Sequence, residues 1–239
     1  MRARFARDAA SIKRLYFDYG TGRRIGVMCK ALAQARKVYR CAEPGELEKI
    51  AGTVHHGGIV AVVESLPLPV ATADRVRAWM QRREPLLVLD RIGNAHNLGA
   101  IVRTAAFFGV PRIVLPADPA AARPNDAAHR VAEGGFEFLE VWSTPETVGF
   151  LRELAAAGYD VVGAATQGGA PRPDAGNRTR PSALVLGNEE QGLAPAVAAA
   201  CTRLVTLPGS GKIESLNVSV AGAILIWELL ARPAGRGRI

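Results

Sequence analysis

Three short segments of this chain concentrate residues able to bind or react. Asn97 and Arg103 stand in the run Asn97-Leu98-Gly99-Ala100-Ile101-Val102-Arg103-Thr104. A second segment reads Leu186-Gly187-Asn188-Glu189-Glu190-Gln191-Gly192-Leu193. The third combines Leu207-Pro208-Gly209 with Glu214-Ser215-Leu216-Asn217-Val218-Ser219. Glycines in such turns let backbone N–H and C=O groups come close to a ligand, which suits the adenine and ribose of a nucleotide-like cofactor. A dinucleotide is a poorer fit, because no G-x-G-x-x-G follows the apolar run 86–90. Gly209-Ser210-Gly211-Lys212 has the look of a P-loop end, but it lacks the leading glycine, and Ile213 stands where a magnesium-binding Ser or Thr is needed. Leu98, Ile101, Val102, Ala105 and Phe108 fall on one helical stripe, so Arg103 points away from it and is free to meet a ligand. Asn97 also suits the N-cap of that helix, and Ser215 and Asn217 the start of the next. His96 beside the first segment reads as an incidental loop residue rather than a general base, and His55 and His56 as packing or surface-loop residues rather than metal ligands.

Positioning these segments requires a sheet. Apolar runs at 86–90, 112–115, 136–141, 160–164, 183–187 and 204–207 alternate with helical stretches, the pattern of a parallel sheet covered on both faces. Ligands of such sheets bind at the carboxyl ends of the strands, where the three segments lie. The last helix, 216–230, is apolar nearly all round and is expected to be buried on most sides, with Asn217 and Ser219 in its first turn needing partners. Before this domain, strands at 12–17, 38–40 and 59–63 alternate with helices near 27–35 and 44–51, a small α/β unit. The Pro67 and Pro69 break marks a boundary, giving a first domain over 1–66, a linker with a charged helix over 67–84, and a second domain over 85–239. A surface loop is expected over 166–181.

Of the 239 residues, the first 40 hold 11 Lys and Arg against 2 Asp and Glu, whereas the rest hold 19 against 20. The positive excess therefore belongs to the first domain, as expected of a surface that meets a phosphate backbone; the alternative is a solvated charged face. No apolar run approaches the roughly 18 residues of a membrane span, and the basic start leads into no secretory signal, so a cytoplasmic protein without a membrane partner is expected. Cys29, Cys41 and Cys201 are odd in number and lack C-x-x-C spacing, which argues against a disulfide framework or a zinc site.

Together, the order and spacing of the three segments resemble the SpoU (TrmH-like) RNA ribose 2′-O-methyltransferases of the SPOUT superfamily, over residues 86–231. Residues 47–63, with His55-His56-Gly57-Gly58-Ile59-Val60, are similar to the RNA-binding domain related to ribosomal protein L30e, here without its usual opening strand before Arg4. The resemblance implies a Rossmann-like parallel sheet ending in a deep trefoil knot from about residue 183, an exception to the rule that chains do not thread loops. It implies S-adenosylmethionine as cofactor, no metal, a homodimer sharing its active site, and methyl transfer to a ribose 2′-hydroxyl in structured ribosomal or transfer RNA. Leu186, Gly187, Asn188, Leu207, Pro208, Gly209, Leu216 and Asn217 then match cofactor-binding positions, and Arg103, Asn97, Glu189, Ser215 and Asn217 catalytic ones. A guanidinium is very hard to deprotonate in a protein, so alkoxide stabilisation and phosphate binding suit Arg103 better than proton abstraction, with Glu189 expected to orient it. Gly93-Asn94-Ala95-His96 departs from the Asp-Pro-containing turn common in the family. The competing reading is a non-catalytic RNA-binding or ribosome-assembly factor with a vestigial cofactor site.

Overall fold

The computed structural model describes residues 1–64, 66–170 and 180–231. The chain divides into two compact units, Met1–Pro67 and Leu68–Ile239. In the first, helix α1 (Arg2–Asp8) precedes β1 (Ile12–Phe17), α2 (Tyr19–Gly22), α3 (Gly26–Gln34), β2 (Val38–Cys41), α4 (Pro44–Ala51) and β3 (Ile59–Val63). The sheet order is β2-β1-β3, with β1 parallel to β2 and antiparallel to β3. Side chains of β1 alternate between two small cores: Ile12, Leu15 and Phe17 pack with Ile25, Met28 and Leu32, while Tyr16 packs with Ala42 and Leu47.

The second unit begins with α5 (Ala73–Gln81), β4 (Leu86–Leu89), α6 (Ala95–Phe107), β5 (Arg112–Pro116), α7 (Asp126–Ala132) and β6 (Glu140–Thr144). It continues through α8 (Thr147–Ala157), β7 (Asp160–Ala164), β8 (Ser182–Leu186), α9 (Pro195–Ala200), β9 (Arg203–Val205) and α10 (Val218–Leu229). Six strands form one parallel sheet in the order β6-β5-β4-β8-β7-β9. Its central strand explains why both faces are covered. Leu87 and Leu89 enter the core shared with α6, α7 and α10, and Leu86 and Val88 enter the opposite core with α5, α8 and α9. Strand β8 pairs with β4 in the register Leu86↔Ala183 to Leu89↔Leu186, so the loops after these two strands emerge side by side.

Three sequence expectations change, and part of a fourth lies outside the described residues. The stretch expected as a linker is largely α5, whose Val76 and Trp79 are buried in the core of the second unit. The strand expected over 136–141 starts later, at Glu140, because Glu133 (φ 46°) and Gly134 (φ 89°) turn the chain left-handed and lead into a 3₁₀ turn at Gly135–Glu137. Helix α10 begins at Val218 and is not buried all round: Val220, Ile224 and Trp227, spaced i, i+4 and i+7, are exposed along one face. Residues 171–179 of the expected surface loop lie outside the described residues.

Candidate functional site

The loops after β4, β8 and β9 meet at the carboxyl edge of the sheet, and one carboxylate joins two of them. Glu189 accepts hydrogen bonds from the N–H groups of Gly93 and Asn94, both at 3.2 Å, and from Nδ2 of Asn97 at 2.9 Å. Asn97 in turn accepts through Oδ1 from Nδ2 of Asn217, at 3.1 Å. The third loop is thereby tied to the first, and all three sequence segments are brought together by Asn97. Partial burial pushes the Glu189 carboxyl up, but the hydrogen bonds from Asn97 and from the backbone N–H groups of Glu189, Gly93 and Asn94 outweigh it and hold the group below the ordinary carboxylate range. Glu189 is therefore an ionised hub rather than a proton donor at neutral pH.

Capping explains part of this arrangement. Asn94, not Asn97, caps α6, its Oδ1 accepting from His96 N at 2.7 Å, so the side chain of Asn97 is left for Glu189 and Asn217. Asn217 caps α10, accepting from Ser219 N at 2.8 Å, while its amide donates to Asn97. One asparagine thus satisfies a helix end and anchors the loop in front of it.

The expected cofactor residues separate into frame and open backbone. Leu186 is buried, and its carbonyl accepts from Asp90 N at 2.7 Å. Asn188 is used up internally: its backbone exchanges two hydrogen bonds with Gly192, its amide donates to Arg91 O, and its Oδ1 accepts from Glu190 N and Gln191 N. These two residues shape the turn, with their polar groups engaged inside the protein. Gly187 is different. It is buried, its N–H and C=O make no hydrogen bond among the described residues, and a Cβ there would lie 2.3 Å from the Gly192 carbonyl carbon. The backbone of Leu207, Pro208 and Gly209 likewise has no hydrogen bond among the described residues, and a Cβ on Gly209 would meet nothing within 4 Å. Backbone groups left for a ligand, at Gly187 with no side chain in the way and at Gly209 beside open space, suit the adenosyl part of S-adenosylmethionine, so these residues fit that cofactor. Leu216 is exposed at the end of the same loop.

Arg103 projects from α6 away from its buried stripe of Leu98, Ile101, Val102 and Ala105, as its spacing predicts, and is exposed. It is not joined to Glu189. Six residues along a helix amount to about 9 Å of rise and about one and two-thirds turns, which puts Asn97 and Arg103 on different faces. The carboxylate beside Arg103 is Glu133, whose Oε1 lies 2.9 Å from Nη1. The expectation that Glu189 orients Arg103 is therefore replaced by this pair. Ser215 is exposed, with no hydrogen bond to the Asn97 network.

Sequence reasoning missed Asn94, Glu133 and Asp90. The buried Asp90 carboxylate accepts from Ala194 N at 3.1 Å, fixing the far end of the 187–193 loop, and Arg91 beside it adopts φ 58°. A run Asp90-Arg91-Ile92-Gly93 carries no local sign of a partner 104 residues away.

Comparison with known proteins places this geometry. Residues 84–227 match the SpoU rRNA Methylase family, and residues 3–69 match the family of RNA 2′-O ribose methyltransferase substrate-binding domains. The chain is 35% identical to the 23S rRNA (guanosine-2′-O-)-methyltransferase RlmB of Nitrosomonas europaea, over 98% of this chain and 89% of that protein. It is 34% identical to the RlmB of Ralstonia nicotianae, over 95% and 90% of the two chains. The fold is also similar to an AdoMet-bound rRNA methyltransferase from Sinorhizobium meliloti, with a TM-score of 0.78, 25% identity and coverage of 95% of this chain and 84% of that one.

Proposed function

Because the chain belongs to the SpoU rRNA methylase family, and so transfers methyl from S-adenosylmethionine to a ribose 2′-hydroxyl of RNA, we propose residue roles, a target and an assembly for it. The observation that carries the roles is the hydrogen-bonded chain Glu189–Asn97–Asn217, which holds three loops around unpartnered backbone at Gly187 and Leu207–Gly209. That backbone, with Leu216, would hold the adenosyl group, whose sulfonium supplies an electrophilic methyl when bound. Asn97, Glu189 and Asn217 keep the loops in register and act as positioning residues. Arg103, exposed and carrying donors that point outward, binds the ribose oxygen as it loses its proton and grips the neighbouring phosphate. Placing hydroxyl and methyl in line removes the entropy of bringing them together, the part of the barrier a protein lowers most directly here. Ser215 would contact substrate only after its loop closes on RNA.

The target is a guanosine ribose in 23S ribosomal RNA, as the names of the two RlmB relatives suggest. The first unit, carrying the positive excess of the chain, presents that RNA. The assembly is a homodimer. Its support is the apolar face of Val220, Ile224 and Trp227 on α10, continued by Phe108, whose ring is 5.3 Å from Trp227, and by the exposed Phe107. The order of β7, β8 and β9, with β8 inserted between β4 and β7, is compatible with a C-terminal trefoil knot.

Arg103→Ala tests the catalytic assignment. Methylation of 23S RNA should fall at least about a hundredfold, the cost of losing one oxyanion donor, with S-adenosylmethionine affinity by calorimetry nearly intact. Unchanged turnover removes Arg103 from the mechanism. Trp227→Glu should convert the dimer to monomer by sedimentation; a monomeric parent protein would discard the assembly.

A further inference from the structure

Arg103 stands on a long, exposed side chain, and something must aim it. The turn after α7 does so in an unexpected way. Glu133 occupies the left-handed region at φ 46° and ψ 41°, where a side chain crowds the backbone and glycine is the favoured residue. A residue needed only to end α7 would be better as glycine. Its side chain instead reaches Arg103, Oε1 to Nη1 at 2.9 Å. The following turn is fixed against α6 at the same level, since a Cβ on Gly135 would lie 3.1 Å from the Val102 carbonyl oxygen and 3.2 Å from the Arg103 Cα. The backbone that carries Glu133 is therefore held directly against the backbone that carries Arg103.

From this geometry we infer that Glu133 is a positioning residue for methyl transfer: its carboxylate fixes the Arg103 guanidinium before RNA arrives. A free arginine samples many rotamers and must lose that freedom when it engages the ribose and phosphate. A carboxylate holding one Nη1–H removes part of that loss in advance and leaves four N–H donors of the guanidinium for substrate. Both side chains are more than half exposed, 57% and 63%, so the pair adds little to the stability of the fold. Its effect belongs to turnover.

The inference rests on Arg103 meeting the reacting hydroxyl, and three variants separate the two claims. Glu133→Gly should lower kcat about tenfold or more, with KM for RNA and S-adenosylmethionine affinity within about twofold and Tm unchanged or raised, because glycine relieves the left-handed backbone while freeing Arg103. Glu133→Gln keeps the side chain and loses the charge, so its kcat should fall between those of Glu133→Gly and the parent. In an Arg103→Gln background, Glu133→Gly should change turnover no further. A loss of kcat with a raised or unchanged Tm is not what a merely structural residue would give. If Arg103→Gln is inactive while Glu133→Gly turns over like the parent, the role of Glu133 is overturned and that of Arg103 stands. If Arg103→Gln is fully active, both fail. A rise in kcat/KM in Glu133→Gly would make Glu133 a competitor of the substrate and overturn the inference as well.

Discussion

At the start of α6, Asn97 is half-buried and bonded to two other loops through both ends of its amide. Nearly two turns further on, Arg103 is exposed and held by a single ion pair. The same helix thus carries one side chain tied between two loops and one held at the surface by an exposed ion pair alone. On the proposed roles, a cofactor cradle calls for backbone groups held in place within tenths of an ångström, whereas a group that meets RNA is best carried at the surface. Each prediction below perturbs one side of this contrast.

The largest effect is expected on the rigid side. Gly187→Ala places a Cβ 2.3 Å from the Gly192 carbonyl carbon and 2.4 Å from Leu193 N, and these backbone atoms cannot yield without moving the loop. A loss of about 3 kcal/mol in a denaturant melt is expected, at the upper end for overpacking, together with loss of S-adenosylmethionine binding by calorimetry. Gly209→Ala is the control. Its Cβ meets nothing within 4 Å, so stability should stay within about 0.5 kcal/mol while cofactor affinity falls. Equal melting behaviour in the two variants would mean that the 187–192 turn is not rigid.

Next comes Asn97→Ala, which takes one donor from Glu189 and the acceptor from Asn217. Both groups remain partly solvated, so about 1–2 kcal/mol of stability is expected to be lost, with weaker cofactor binding. A smaller effect is set by pH. The Glu189 carboxyl lies below its ordinary value of 4.5 in the folded protein, so its hydrogen bonds contribute fully above that pH and the contribution fades as pH falls through the lower folded value. Solvent access keeps this below about 1 kcal/mol. Glu189→Gln should therefore flatten the dependence of Tm on pH between about pH 5 and 3, and an unchanged slope would remove Glu189 as the ionised hub.

Much of this contrast is legible in the sequence, and the remainder fails for definite reasons. Periodicity gives α6 its buried stripe and turns Arg103 outward, and the strands of β4, β7 and β8 follow from apolar runs flanked by turns. What periodicity cannot give is partnership across the chain. Asn97 and Glu189 are 92 residues apart, and nothing near either names the other. The family resemblance suggested Glu189 as the partner of Arg103, but Glu189 binds Asn97, which lies on a different face of α6 from Arg103, and the left-handed turn at Glu133 supplies the carboxylate instead. The same turn delays β6, because a run such as Phe136 to Val141 has strand-like residues but follows two positions of positive φ. The exposed face of α10 was hidden for another reason. Composition cannot distinguish an apolar helix buried on all sides from one that leaves an apolar face exposed.

The smallest effect closes the comparison from the mobile side. Arg103→Gln removes an ion pair in which both partners are more than half exposed, and exposed pairs of this kind contribute little because solvent screens them and two long side chains must be ordered. Stability should therefore change by no more than about 0.5 kcal/mol, below the loss expected for Asn97→Ala two turns away. The two variants differ in what they remove from the same helix: one a tie between loops, the other an exposed guanidinium proposed to act in methyl transfer. A melt of Arg103→Gln as low as that of Asn97→Ala would show that Arg103 is part of the rigid frame, and its loss of turnover would then be explained by a distorted site rather than by a missing guanidinium.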